Sequence, residues 1–324
     1  MKTTFVLSAF VGLTLCACNV RALNADSTHA WDGFANDGSR DAGDGLVDGG
    51  KLNRGFVQVS SGYETVCALD QEGEVHCWGK ALEGAHPQFR LKRLSVGMFH
   101  ACGIDAADRL RCWGRNSAGE VMSAFKPTRD VAASNTITFA IVNGVIITGG
   151  NKPQGYRLPE EGNFVSLAAS NTSGCALRMS GVTHCWGPAR YAAEVPNLHF
   201  INRITFYGHL VCGVARETKQ LTCGQQYPSS DAPTFPLGQT KISRSFAGHL
   251  NYICAIDSEG AIFCKGRGDP ENHGDPPISV TRPPKGKGYL QVSTGHFQAC
   301  AVHQDGHIDC WGENDYGQLN VPTL

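Results

Sequence analysis

The chain has almost no net charge: 28 Lys and Arg stand against 29 Asp and Glu, leaving −1 at pH 7. With no excess of either sign, no chain-wide field draws nucleic acid or acidic substrates. Long apolar runs are missing too. The one apolar stretch, residues 5–15, is too short to cross a bilayer, which takes about 20 residues. No segment keeps a helical period over several turns, so a bundle or an alternating α/β fold is not expected. The nucleophile elbow (G-x-S-x-G) and the zincin motif (H-E-x-x-H) are both absent. No catalytic site is legible.

What the chain does have is cysteine, fourteen of them, in a repeating frame. The clearest copies begin at Val59 (VSSGYETVCALDQEGEVHCWG), Ser95 (SVGMFHACGIDAADRLRCWG) and Val292 (VSTGHFQACAVHQDGHIDCWGENDYGQL). Weaker copies begin at Ser173, Gly208 and Gly248, and a degenerate one at Thr136 has Phe139 and Thr148 in place of cysteine. The seven anchors are residues 67, 102, 139, 175, 212, 254 and 300, spaced 35 to 46 apart. Such a period belongs to architectures in which one unit cannot bury its own apolar face. Each unit alternates apolar and polar residues, as in Glu74-Val75-His76-Cys77. The expected fold is all-β: a closed seven-bladed propeller of short antiparallel strands, whose edges are short and protected.

The hairpin in each unit sets the cysteine pairing. Gln71-Glu72-Gly73 is a natural three-residue loop, with Gly at the left-handed position. Gly181, Gly260 and Gly306 recur there, and Asp108 replaces Gly in unit two. Residues 70 and 74 then close the hairpin as a hydrogen-bonded pair. The alternation makes 67/77 a non-hydrogen-bonded pair, with Cα atoms about 4.5 Å apart, which suits a disulfide. The same register predicts Cys67–Cys77, Cys102–Cys112, Cys175–Cys185, Cys254–Cys264 and Cys300–Cys310. Cys212–Cys223 has one extra residue, absorbed by a four-residue loop at 216–219. Structural zinc sites use close pairs such as C-x2-C, which these are not. Disulfides imply an oxidising compartment.

Residues 1–18 have one basic residue, Lys2, the apolar run, and then Leu15-Cys16-Ala17-Cys18. This resembles a bacterial lipoprotein signal, with Ala17 the small residue before an acylated Cys18. The alternative is secretion after cleavage at Ala17 or Ala22. Residues 19–54 are rich in Asp and Gly and are expected to be a disordered tether. Asp37, Asp41, Asp44 and Asp48 lack the terminal Glu of a calcium loop. Residues 55–324 form the expected propeller, its chain ends meeting to close the ring.

The unit VSxGxxxxCAxxxDGxxxCWGxNxxGQL, as it stands in 292–319, resembles the regulator of chromosome condensation repeat. The resemblance extends over residues 55–324 and is diluted in units three, five and six; Gly224 and Lys265 replace the Trp found at 78, 113, 186 and 311. Its paired cysteines are similar to those of the bacterial branch of that family. In size and unit number the chain is similar to the propeller-type β-lactamase inhibitory protein. The resemblance implies a propeller used for protein binding, without nucleotide exchange or chromatin binding.

The expected function is a lipid-anchored, protein-binding or surface scaffold module of the bacterial cell envelope, at the outer membrane or cell surface. No cofactor, metal, nucleic acid or small-molecule substrate is expected, and the protein partner is unknown. The rival reading is an enzyme, a lyase or hydrolase, with its site in the central channel. Two connections exceed the repeat, at 225–241 and 266–288, and long loops on rigid scaffolds often bind. Their aromatic and Arg residues Tyr227, Phe235, Arg267, Arg282 and Tyr289 are the candidate contacts. His209, His249 and His296, each after a Gly at the same turn, are read as turn residues rather than a metal ring. The CWG tryptophans are read as packing between blades. Arg267-Gly268-Asp269 and Gly286-Lys287-Gly288 are chance matches to an integrin tripeptide and a phosphate loop.

Overall fold

The computed structural model describes residues 55–80, 82, 87–124, 126–152, 157–160, 162–170, 173–187, 199–207, 210–225, 242–249, 252–266 and 278–324. The signal segment, Cys18 and the tether lie outside the described residues. The rest is seven antiparallel sheets, six of three strands and one of four. The fourth strand, Ser123–Ala124, lies on the outer edge of blade two. Each sheet uses consecutive strands of the chain. Their first strands are Phe56–Ser61, Leu91–Val96, Thr128–Ala133, Phe164–Ala169, Phe200–Tyr207, Ile242–Gly248 and Tyr289–Thr294. Each first strand neighbours the first strand of the next blade, and the last returns to Phe56–Ser61. These are the inner strands of a closed seven-bladed propeller.

Seven apolar cores fill the seven joints, each drawn from two successive blades. Strand alternation explains the division. Cys67 and Leu69 face blade two, where they meet Leu91, Leu94 and Val96. Val66, Ala68 and Trp78 face blade seven, where they meet Cys300, Val302 and Ile308. The tryptophans follow the same rule: Trp186 packs on blade three and Trp311 on blade six, so the CWG residue is inter-blade filling. All six predicted disulfides are present, with Cα atoms 4.0–4.1 Å apart. In blade three, Phe139 and Thr148 pair at the cysteine positions, and Phe139 sets its ring edge against Trp186 at 5.3 Å. A buried ring fills that joint instead of a disulfide.

The hairpin loops have the expected backbone. Gly73, Gly181, Gly260 and Gly306 have positive φ, and so do Asp108 (61°) and Lys219 (58°) in the loops without Gly at that place. Blade three differs: Asn143-Gly144 (φ 51° and 78°) makes a two-residue turn. These are the residue types that tolerate two successive left-handed positions.

The seam between blades seven and one has the same bonds as an ordinary joint. At five joints the carbonyl of the loop's left-handed residue accepts from the N–H that opens the next inner strand: Gly73 from Leu91, Asp108 from Thr128, Gly181 from Phe200, Gly260 from Tyr289, and at the seam Gly306 from Phe56 (2.7 Å). A Cβ on Gly55 would lie 2.8 Å from the Cα of Gly306, so this approach requires glycine. The Gln291 carboxamide brackets Val59, accepting from its N–H (2.8 Å) and donating to its carbonyl (3.0 Å). Gln58 brackets Leu94 in the same way one joint later. The segment after blade seven then covers blade one, where Trp78 donates to the Gln318 carbonyl. Among the described residues no strand is exchanged across the seam.

Candidate functional site

One mouth of the ring is formed by the turns between first and second strands. Gly62 donates to Thr65 O, Gly97 to His100 O, Ser134 to Ile137 O, and Gly295 to Gln298 O. Successive turns nearly touch. A Cβ on Gly62 would lie 2.1 Å from the carbonyl oxygen of Gly97, and one on Gly97 would lie 2.1 Å from that of Ser134. The glycine of the V-S-x-G pattern is there because the neighbouring backbone occupies the space of a side chain. The next turn residues stand at the mouth, half-buried: Tyr63, Met98, Phe99, His296 and Phe297.

Tyr63, His296 and Phe297 gather with His249 over blades six, seven and one. Tyr63 stacks on His296 at 4.1 Å, His249 meets His296 edge-on at 5.3 Å, and Phe297 lies 3.7 Å from His296. The guanidinium of Arg115 covers Phe99 at 3.7 Å. So two of the three turn histidines come together; the third, His209, lies outside the described residues. Burial, then the neighbouring His296, pushes the His249 pKa down to about 3. Its imidazole is neutral at physiological pH and far from the value that suits a general base. The face offers rigid aromatic area.

The inner strands carry Arg93, Asp130 and Arg203. Asp130 is already engaged, its Oδ1 accepting from Arg93 (2.8 Å) and its own blade's Val131 N–H, its Oδ2 from the Leu167 N–H (2.8 Å). Burial, followed by Arg93, lowers the Arg203 pKa. A carboxylate held by three donors joins blades and is not a free base.

Of the loop residues named from sequence, Tyr227, Phe235 and Arg267 lie outside the described residues. Arg282 is exposed, just after a short 3-10 turn at Ile278–Thr281. That turn is anchored: Val280 is fully buried and its carbonyl accepts from Trp311 Nε1 at 2.8 Å. Tyr289 is corrected from loop contact to core. It opens an inner strand, is 4% exposed, and donates its hydroxyl to Asp309 Oδ2 at 2.6 Å. Its strand position matches Phe56, Leu91, Phe164 and Phe200, all buried, so the repeat itself carried the signal. Histidines outside the mouth have structural partners. His76 binds Asp70 Oδ2 at 2.9 Å, and fully buried His100 binds Thr138 Oγ1 at 2.7 Å.

Blades one and seven, over residues 56–84 and 290–318, match the family model described as the Regulator of chromosome condensation (RCC1) repeat. Two of the seven blades thus match that repeat, and the fold is that of a seven-bladed propeller. Among solved structures, the chain is similar to the CRINKLY WD40 ectodomain of the Arabidopsis thaliana receptor kinase ACR4. They share 20% identity over 80% of this chain and 96% of that one, with a TM-score of 0.64. It is also similar to the ectodomain of the Physcomitrella patens receptor kinase CR4 (20% identity, 78% and 72% covered, TM-score 0.60). A third is Prp20p of Saccharomyces cerevisiae (13% identity, 84% and 83% covered, TM-score 0.57), a protein whose structure was described with its binding to Gsp1p and histones. At these identities the likeness is one of fold.

Proposed function

We propose that the protein is an exported scaffold of the bacterial cell envelope, anchored by lipid on Cys18, which binds a protein partner at the mouth over blades seven and one. The observation that carries the binding reading is the Tyr63–His296 stack with Phe297 beside it, half-buried on a ring closed at every joint. Rigid aromatic side chains lose little freedom on association. Six disulfides support export, because a reducing cytosol would not maintain them. The long connections bearing Tyr227, Phe235, Arg267 and Arg282 are the second contact, argued from length and composition.

The test is capture of the partner from native envelopes. Alanine at Tyr63 and Phe297 should weaken binding at least tenfold, about 1.4 kcal/mol, with unchanged melting. Alanine at Tyr227, Phe235 and Arg282 should weaken it by a smaller factor. If both sets bind like the parent, the docking surface is elsewhere.

A further inference from the structure

The opposite mouth carries the loops between second and third strands, and blade seven departs there from blades one, two and six. In blades one, two and six the second strand ends in an aspartate that caps its own hairpin. Asp70 Oδ1 accepts from the N–H groups of Glu72 and Glu74, Asp105 Oδ1 from Ala107 and Arg109, and Asp257 Oδ1 from Glu259 and Ala261. Blade seven puts His303 at that position, His307 four residues on, and Asp305 at the tip between them. It gives up the local cap and gathers two imidazoles and a carboxylate.

We propose that His303, Asp305 and His307 form a binding site for a divalent transition-metal ion of the zinc type. This goes beyond the scaffold reading and does not depend on it. His303 Nδ1 lies 3.0 Å from Asp305 Oδ1, His307 Nδ1 lies 2.5 Å from the same oxygen, and the three ligand atoms fall within 4.8 Å of one another. Hydrogen positions follow from the partners. His303 Nε2 faces the Lys287 carbonyl at 3.0 Å, and a carbonyl only accepts, so the ring proton sits on Nε2. The lone pair of the neutral ring is then on Nδ1. That atom is buried, and its approach to Asp305 is not aligned as a hydrogen bond. His307 Nε2 faces Asp309 Oδ2 at 3.1 Å, and the same oxygen accepts from the Tyr289 hydroxyl. His307 Nδ1 meets Asp305 Oδ1 at 2.5 Å, so without metal both ring nitrogens donate to carboxylates; a bound metal would displace the Nδ1 proton and leave Nε2–H on Asp309.

Metal-bound histidines commonly donate their other N–H to a backbone carbonyl or a carboxylate, which fixes tautomer and ring orientation. Blade seven supplies one of each. Two imidazole nitrogens with one carboxylate suit zinc, and also copper, nickel or cobalt, over calcium or magnesium, which take oxygen ligands. Asp305 and His307 are about half exposed, which leaves room for a water or a partner's side chain as the fourth ligand. The related group in blade one, Asp70, Glu74 and His76, is less suited. Asp70 is buried, its Oδ1 holds two N–H groups, and its Oδ2 holds His76.

The test is calorimetric titration of the untagged full-length protein with zinc chloride, and with cobalt(II) followed by absorption. The parent should bind one equivalent with micromolar or tighter affinity beyond any binding kept by His303→Ala/His307→Ala. Cobalt should give intense four- or five-coordinate visible bands. His303→Ala should weaken binding about a hundredfold and Asp309→Asn about tenfold, while His76→Ala should change nothing. Weak bands of six-coordinate cobalt, or zinc binding unchanged by His303→Ala/His307→Ala, would overturn the site. The cluster would then be an ion pair in which protonated His307 bridges Asp305 and Asp309. The cobalt spectrum of the parent decides the matter even if a variant does not fold.

Discussion

Gln291→Ala is the sharpest probe of how the ring closes. The carboxamide makes two hydrogen bonds to Val59, at 2.8 and 3.0 Å, across the seam. Val59 is 1% exposed, so its N–H and carbonyl find no ready replacement in bulk water. A net hydrogen bond contributes about 0.5–1.5 kcal/mol, and a buried group left without a partner costs about 1–3. Two such groups place the loss at about 2–6 kcal/mol. For a domain of this size each kcal/mol lowers Tm by about 2–4 °C, so melting should fall by about 10 °C. Gln58→Ala removes the same bracket from Leu94, between blades one and two, and is the internal control. Guanidinium unfolding with the disulfides intact, followed by tryptophan fluorescence, should give similar losses for the two variants. If Gln291→Ala costs under about 0.5 kcal/mol while Gln58→Ala costs several, the seam is not closed by these bonds.

Stability should depend on His100. Burial pushes its pKa from 6.5 down to about 4, so the unfolded chain takes up a proton that the folded one refuses. Its contribution is full above pH 6.5 and lost as pH falls towards 4, up to about 3 kcal/mol. His100→Gln should flatten that part of the pH–stability curve in urea titrations, and an unchanged slope would refute the assignment. Reducing all six disulfides should lower Tm more than deleting any one pair, each of which contributes at most about 3 kcal/mol by chain entropy. Phe139→Cys/Thr148→Cys should form a seventh disulfide, detectable by thiol counting. It should nonetheless melt lower than the parent, since losing the buried Phe139 ring costs about 3–5 kcal/mol. Cys18→Ser should move the protein from the membrane to the soluble fraction; identical fractionation would rule out the lipid anchor.

Much of the fold was legible because cysteine spacing and hairpin chemistry are local. Cysteines ten positions apart, with Gly or Asp before the third strand, fix loop length, register and which side chains face which neighbour. Other features depend on non-local contacts. The glycine of V-S-x-G stands where the next turn's carbonyl approaches, and that is seen only once the turns are placed in a ring. The seam bonds join residues 232 apart in sequence. In blade three, Asn143-Gly144 is a strong two-residue hairpin signal that stands outside the cysteine pattern. Blade seven's H-x-D-x-H-x-D run, 303–309, was visible as letters. Its significance came only from setting His303 against Asp70, Asp105 and Asp257 in the other hairpins. The candidate contacts Tyr227, Phe235 and Arg267 rest on loop composition alone.

Each disulfide joins a cysteine to the very next one along the propeller sequence, 10 or 11 residues away. A chain entering an oxidising compartment N-terminus first presents its thiols in the order in which they pair. The hairpin turn brings two thiols together before the third is available. Oxidation in order of appearance therefore yields the native pattern, with no wrong pairing to undo. Each staple needs only its own hairpin, whereas ring closure needs the last blade. Maturation divides into many early local events and one late global one, and a block at the late step would leave every disulfide correct and the ring open.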